Sequence, residues 1–308
     1  MSAIARDHSI VESRRRRVGR TRQQWVGLLY VMPAIAFVVV FFVIPLGMTA
    51  WMSLHDWPLL GAITYIGLDN YTAILKDIRF WGALKFTALY TVVVTIAIFA
   101  VAFPLALYVE KPRPLNTFYR TAFFMPVVVG FASASLLWSW LLNVDAGLFS
   151  PAAVALGVTE RKVNLLATFN PAFWSIIVMV VWKVAGFTMV ILMTGLQSIP
   201  TELQEAAKID GASAFARFRL ITLPLIRRTM ALALILSVTG SVLAFDQFYI
   251  ILRGGPRNQT LTAVYWIFNQ SFVSFKLGYG AALSMVLLVI LVLLSLIQLR
   301  LLRKREGL

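Results

Sequence analysis

Six long apolar runs, separated by stretches that hold nearly all the charge, set the pattern of this chain. The first has no charged residue from 24 to 54. A hydrocarbon core of about 30 Å takes about 20 apolar helical residues, so this run predicts a span over 26–48, with Pro33 and Pro45 near its ends. It is too long for a signal-peptide core and shows no small-residue cleavage site, so it is expected to be retained. The other runs predict spans over 86–109, 122–142, 172–196, 229–252 and 277–299. Loops are expected at 55–85, 110–120, 143–171, 200–228 and 253–276. Trp57, Tyr65, Tyr71 and Trp81 in the first loop suit a membrane interface. The fold class is all-α: a polytopic membrane protein of six transmembrane helices.

Composition agrees. Hydrophobic residues make up 60% of the chain, charged residues 13%, and the mean hydropathy is +0.82, whereas soluble domains carry roughly 25% charged residues. There is no cysteine, which excludes disulfides and thiolate chemistry. His8 and His55 form no ligand cluster, so no metal site is expected. No G-x-x-x-x-G-K-[ST] phosphate loop, H-E-x-x-H or Ser-His-Asp arrangement appears, so the chain is read as neither an enzyme nor a nucleotide binder.

Net charge is +15, and its placement decides its meaning. Of the 28 Lys and Arg residues, 19 lie in the tail, the two even loops and the C-terminus; eight lie in the three odd loops, and Lys183 is inside a span. Basic residues accumulate on the cytoplasmic side of membrane helices. Both termini and the 200–228 loop are therefore expected in the cytoplasm, the lipid bilayer is the partner, and nucleic acid is not. Residues 1–24 form a basic tail holding Arg14 to Arg17, Arg20 and Arg22, and 25–308 form one membrane domain.

Residues 200–228 are built as helix, turn, helix. Ile199-Pro200 ends the preceding helix. Thr201 offers an N-cap with Gln204 completing a capping box, and Glu202 and Glu205 suit the positive end of the helix dipole. Gly211 is expected to turn the chain, Ser213 to cap the second helix, and Leu223-Pro224 to close it. Ala206 and Ala207 leave a shallow face open to a partner.

Glu205-Ala206-Ala207, then Gly211, then Ile221-x-Leu223-Pro224, resembles the signature loop of ABC importer permeases. The resemblance extends over nearly the whole chain after the tail. Tyr65 to Tyr71, Trp182-Lys183, Gly195 to Pro200 and Gly254-Gly255-Pro256 are similar to segments of carbohydrate-type permeases. Phe245 to Tyr249 and Gly278 to Ala282 resemble the first of two paired permeases, maltose F-type or glycerol-phosphate A-type. Arg228 and Arg253 depart from that pattern. The resemblance implies a bacterial or archaeal cytoplasmic (inner) membrane protein forming half of an import pathway. It implies as partners a second permease, an ABC ATPase dimer that binds ATP and Mg, an extracytoplasmic substrate-binding protein and a small-molecule solute. Glu205, Ala206, Ala207, Ile209, Asp210, Gly211, Ile221, Leu223 and Pro224 would then meet the ATPase, and this chain would hold no cofactor itself.

Lys183 and Asp246 are the charges well inside the predicted spans. Such charges cost about 2.5–3.5 kcal/mol on insertion scales, so both are expected to face protein or water. They read either as a structural pair or snorkelling groups, or as the lining of a polar pathway. Gln247, Tyr249, Trp138, Trp140 and Trp182 offer hydrogen bonds and stacking faces to a sugar, and packing or interface anchoring is the alternative. The solute implied by the resemblance is a sugar or oligosaccharide, with glycerol-3-phosphate or a glycerophosphodiester as alternative. A secondary transporter or channel is the rival class.

Overall fold

The computed structural model describes residues 30–111 and 113–303. The basic tail, the start of the first span, Lys304 and Arg305 lie outside the described residues. Helix α1, Tyr30–Met52, contains one wide π-helical turn at Val39–Val43. A two-stranded hairpin follows, β1 His55–Asp56 antiparallel to β2 Thr64–Tyr65. The residues that resemble a permease motif here tie the hairpin down. Asn70 Nδ2 donates to the Ser53 and His55 carbonyls at 2.9 and 3.0 Å, and the Tyr71 hydroxyl meets Ser53 Oγ at 2.7 Å.

Helix α2, Asp69–Lys76, leads into α3, Ile78–Val109. The second span thus begins eight residues before the expected 86, because Asp77 caps it: Oδ1 accepts from the Arg79 and Phe80 amides at 2.9 and 3.1 Å. Its 32 residues make a rod about 48 Å long.

The third expected span is two helices. Helix α4, Asn116–Val128, and α5, Phe131–Leu141, meet at 94°, with Val129 and Gly130 extended between them just after Pro126. The 143–171 loop contains a short helix, α6, Phe149–Ala155. Helix α7, Phe169–Gln197, matches its expected span closely.

Helix α8, Thr201–Ile209, and α9, Ala214–Leu225, flank the Gly211 turn. Thr201 is not the N-cap: Pro200 is, and no side chain caps the helix. The Gln204 side chain instead donates to Thr222 Oγ1 at 3.1 Å, tying α8 to α9. Ser213 does cap its helix, accepting from the Ala216 amide. Leu223-Pro224 lies in the last turn of α9, which ends at Leu225. A π-helical turn at Phe218–Thr222 leads directly into this stretch, and the chain bends by 69° at Ile226.

Helix α10, Arg227–Val242, stops ten residues before the expected end of the fifth span. Gly240 lies in its last turn, and no proline follows before Pro256. Thr262 Oγ1 donates to the Ala244 carbonyl at 2.9 Å and holds the break. A helical turn, α11, Phe248–Leu252, ends at Arg253 in the left-handed region. The expected loop 253–276 folds as α12, Ala263–Phe268, continuing through a π-helical turn at Asn269–Val273, with Tyr265 and Trp266 buried. Helix α13, Leu277–Arg303, is the last.

Helices α3 and α7 form the centre, and α4, α5 and α10 to α13 pack around them. The largest buried cluster joins Tyr90, Val94 and Ile98 of α3 with Ile176 and Met179 of α7, Trp138 of α5 and Phe248. Among the described residues α1, α3, α7 and α13 are long and apolar enough to cross a membrane, and the bent pairs α4–α5 and α9–α10 raise the number to six if each counts once.

Candidate translocation pathway and coupling loop

The break between α4 and α5 organises the first candidate site. A helix leaves its last carbonyls without intrahelical partners, and in a membrane such groups must be satisfied by protein or line a water-filled cavity. Lys183 of α7 answers that need. It is only 4% exposed, its Nζ donates to the Val127 carbonyl at 2.9 Å, and it lies 5.0 Å from the Phe131 ring centre. A cation at a helix C-terminus is stabilised by the dipole, and the ring adds a cation–π contact.

One turn further, Gly186 allows α4 to lie against α7. A Cβ there would collide with the Phe123 carbonyl. Lysine and glycine three residues apart thus present one face to the broken helix. Trp182 extends the site: its ring centre is 5.8 Å from that of Trp138, and Trp138 in turn contacts Phe149. Trp140 points away and is exposed.

Asp246 does not pair with Lys183. It lies half-buried at the α10 break, and beside it the buried Gln247 donates to the Tyr90 hydroxyl at 3.1 Å. Tyr249 joins an aromatic group, stacked 5.1 Å from Phe245 and edge-on to Tyr265 and Phe268. The structure therefore brings Lys183, Trp182 and Trp138 together and gathers Asp246, Gln247 and Tyr249 into a second group. Trp138 of the first shares a core with Phe248, the residue between Gln247 and Tyr249.

Sequence reading missed a polar seam beside these groups. Thr87, Thr91 and Thr95 of α3 are buried, as are Ser237 and Ser241 of α10. Thr87 Oγ1 accepts from the Ala263 amide at 2.9 Å, Ser237 lies 3.4 Å from Thr95, and Thr91 Oγ1 has no partner. Four-residue spacing, which places side chains on one helix face, was the available signal.

Asp77 was missed as well. Besides capping α3 it accepts from Trp266 Nε1 at 2.9 Å and from the Tyr279 hydroxyl at 2.7 Å. Burial alone pushes its carboxyl up, but the hydrogen bonds from Tyr279, Phe80, Trp266 and Arg79 outweigh it and hold the group below the usual aspartate value.

The second candidate site is the α8–α9 unit. Gly211 has φ +79°, the left-handed region that glycine enters freely, and its surroundings are open. Thr201, Gln204, Glu205 and Lys208 line a cavity between α8 and the helix bundle. Leu203 and Ala206 fall on the opposite face; Ile209, the last residue of α8, is 87% exposed, and Phe215 of α9 is 70% exposed. Glu205 thus lies on the bundle-facing side, one residue round the helix from Ala206. Asp210 and Gly211 form the exposed turn, while Ile221 and Leu223 are half-buried and Pro224 is exposed.

Residues 77–307 match the family model described as binding-protein-dependent transport system inner membrane component. The chain belongs to that family. This inner membrane component is 30% identical to the probable starch degradation products transport system permease protein AmyD of Thermoanaerobacterium thermosulfurigenes, over 90% of this chain and 94% of that protein. It is 32% identical to the trehalose/maltose transport system permease protein MalF of Thermococcus litoralis, over 93% and 96%. Identity is also 32% with the sn-glycerol-3-phosphate transport system permease protein UgpA of Agrobacterium fabrum, over 90% and 94%. Its fold is that of a chain in the crystal structure of a bacterial ABC transporter that imports the acidic polysaccharide alginate, with a TM-score of 0.82, 19% identity and coverage of 95% of this chain and all of that one. The inner membrane component is thus a multi-pass transporter subunit and not an enzyme.

Proposed function

We propose that this chain is a six-span permease subunit importing a carbohydrate, its basic ends and the α8–α9 unit lying in the cytoplasm. The observation that carries the pathway is the 94° break between α4 and α5, closed by a buried lysine and flanked by the Trp138–Trp182 pair. Discontinuous helices at membrane depth are typical of solute sites in transporters. Aromatic faces suit the apolar faces of a sugar ring, and Lys183 and Gln247 supply hydrogen bonds. The starch-product and trehalose/maltose names of AmyD and MalF support the same class. The UgpA likeness and the buried cation favour a glycerol phosphate as second reading.

Exposed Ile209 and Phe215 in a loop otherwise rich in charge support docking of α8–α9 onto an ATPase. Two such ATPases would bind ATP and Mg, a second permease would complete the pathway, and an extracytoplasmic binding protein would deliver the solute. The basic tail 1–24 and the membrane domain 25–308 follow the same reading.

The test is uptake and stimulated ATP hydrolysis by the complex purified through this chain, with maltodextrins and glycerol-3-phosphate as rival solutes. Stimulation by the phosphate compound alone would replace the carbohydrate assignment. Reporters fused after Lys208 and near Arg161 should read cytoplasmic and external, and the reverse would overturn the orientation. Gly211→Val should leave insertion intact but weaken ATPase co-purification or uncouple hydrolysis from uptake. Wild-type values on both counts would overturn the coupling role.

A further inference from the structure

A cavity of about 580 Å³ lies where the α8–α9 unit meets the basic ends of α3, α4 and α7. Four cations converge on it: Lys111 from the connection after α3, Arg120 from α4, Lys208 from α8 and Arg217 from α9. Scattered basic residues are expected on a cytoplasmic face. Convergence from separate elements on one cavity is more than that rule requires.

Two of the cations are held in place from behind. Arg120 Nε donates to the Val109 carbonyl at 3.0 Å, and its guanidinium also bonds the Glu110 carbonyl at 3.2 Å. Arg217 donates one nitrogen to the Ala212 carbonyl at 2.7 Å. A guanidinium has five N–H donors, so each keeps free donors in a fixed fork that matches phosphate oxygens. Among the described residues the Lys111 and Lys208 ammonium groups make no hydrogen bond.

Two carboxyl groups, Glu110 and Glu205, share the cavity with the four cations, so its lining keeps an excess of positive formal charge. Burial pushes Glu110 up from the ordinary glutamate value, only partly offset by Lys111. Glu205 is exposed at the rim. The wall toward the membrane is apolar, made by Leu107 and Leu196. Cations above an apolar wall at a membrane surface are the complement of a lipid whose phosphate carries net negative charge. Basic pockets between membrane helices on the cytoplasmic side bind such headgroups.

We infer that this cavity is a binding site for a phosphate group, specifically that of an anionic phospholipid, whose headgroup bridges α8 and α9 to the ends of α3 and α4. The cytoplasmic placement rests on the orientation proposed above. Bound there, the lipid joins the loop unit to the membrane bundle through both Lys111 and Lys208.

The experiment measures binding of phosphatidylglycerol to the purified complex by native mass spectrometry, with phosphatidylcholine as neutral control and inorganic phosphate as soluble competitor. Saturable binding of one phosphatidylglycerol per copy of this chain, absent for phosphatidylcholine, is expected. Lys111→Glu should weaken it about tenfold or more, since each cation near an anionic surface contributes roughly 1 kcal/mol, and Lys111→Arg should restore it. Inorganic phosphate binding with the same Lys111 dependence, while phosphatidylglycerol does not bind, would overturn the lipid assignment. Phosphatidylglycerol binding unchanged by Lys111→Glu in a normally assembled complex would overturn the site itself. Binding is read without ATP or solute, so its failure is separate from any failure of the import reading, which uptake alone decides.

Discussion

Helices α1 and α7 are nearly equally apolar, yet no residue of α1 is buried in the chain, while fifteen of α7 are. Hydropathy reports transfer into a membrane and says nothing of what lies beside the helix there. The residues that separate the two are the ones a hydropathy scale penalises. Helix α7 carries Lys183, Gly186, Thr188 and Gly195 on buried faces, and close approach through small residues is how membrane helices pack. Helix α1 turns Phe37, Phe41 and Phe42 outward and meets the rest of the chain near its end, by α13 and the hairpin.

Substitution sharpens that contrast, beginning where the effect is largest. Gly186→Leu should destabilise at the upper end of about 1–3 kcal/mol, the usual cost of overpacking, because the obstacle is the Phe123 backbone. Thermal melting of the detergent-purified chain measures it, and an unchanged melting point would show that α4 does not rest on α7. Lys183→Met should insert normally, since it removes an expensive charge, while leaving the Val127 carbonyl unsatisfied at a cost of about 2 kcal/mol. Uptake by the assembled complex should fall as well. Full stability together with full uptake would break the assignment of the α4–α5 break as a functional element.

Asp77→Asn should cost about 1 kcal/mol, the difference between charge-assisted and neutral hydrogen bonds. The sign of its pH dependence follows from the depressed pKa. The stabilisation is present above the ordinary aspartate value and is lost as pH falls through the lower native one. Wild type and Asn variant should therefore converge in stability on strong acidification, and a gap that persisted there would rule out the carboxylate as its source. The smallest effect is expected on α1. Gly47 has open space around it, so Gly47→Leu should stay within about 0.5 kcal/mol in the isolated chain. A loss of assembly seen only in the complex would show that a partner subunit covers α1.

The same contrast explains what was legible in the sequence. Helix α7 matched its expected bounds because Pro171 and Pro200 fix both ends locally. Gly211 and Ser213 did what their backbone and side-chain chemistry dictates, and Glu205 to Gly211 fell on one helix and its turn. The α4–α5 break was half visible: Pro126 and Gly130 mark it, but its angle depends on Lys183 and Gly186, more than 50 residues away. The end of α10 was invisible, since Ser-Val-Leu-Ala-Phe contains no breaker and a threonine on another element holds it. The 253–276 segment read as a loop because Asn258, Gln259, Asn269 and Gln270 are polar, although the backbone around them is packed.

Helix α3 is gripped at both ends, by the Asp77 carboxylate at one and, at the other, by Arg120 and Gln197, which bond the carbonyls of Val109 and Glu110. The helix between the two grips is about 48 Å long and has Pro104 in its interior. Rocking it by about 5° about its midpoint carries each grip sideways by about 2 Å. Any shift of α3 as one body would therefore move the Asp77 contacts to Trp266 and Tyr279 together with the Glu110 end that Gln197 holds.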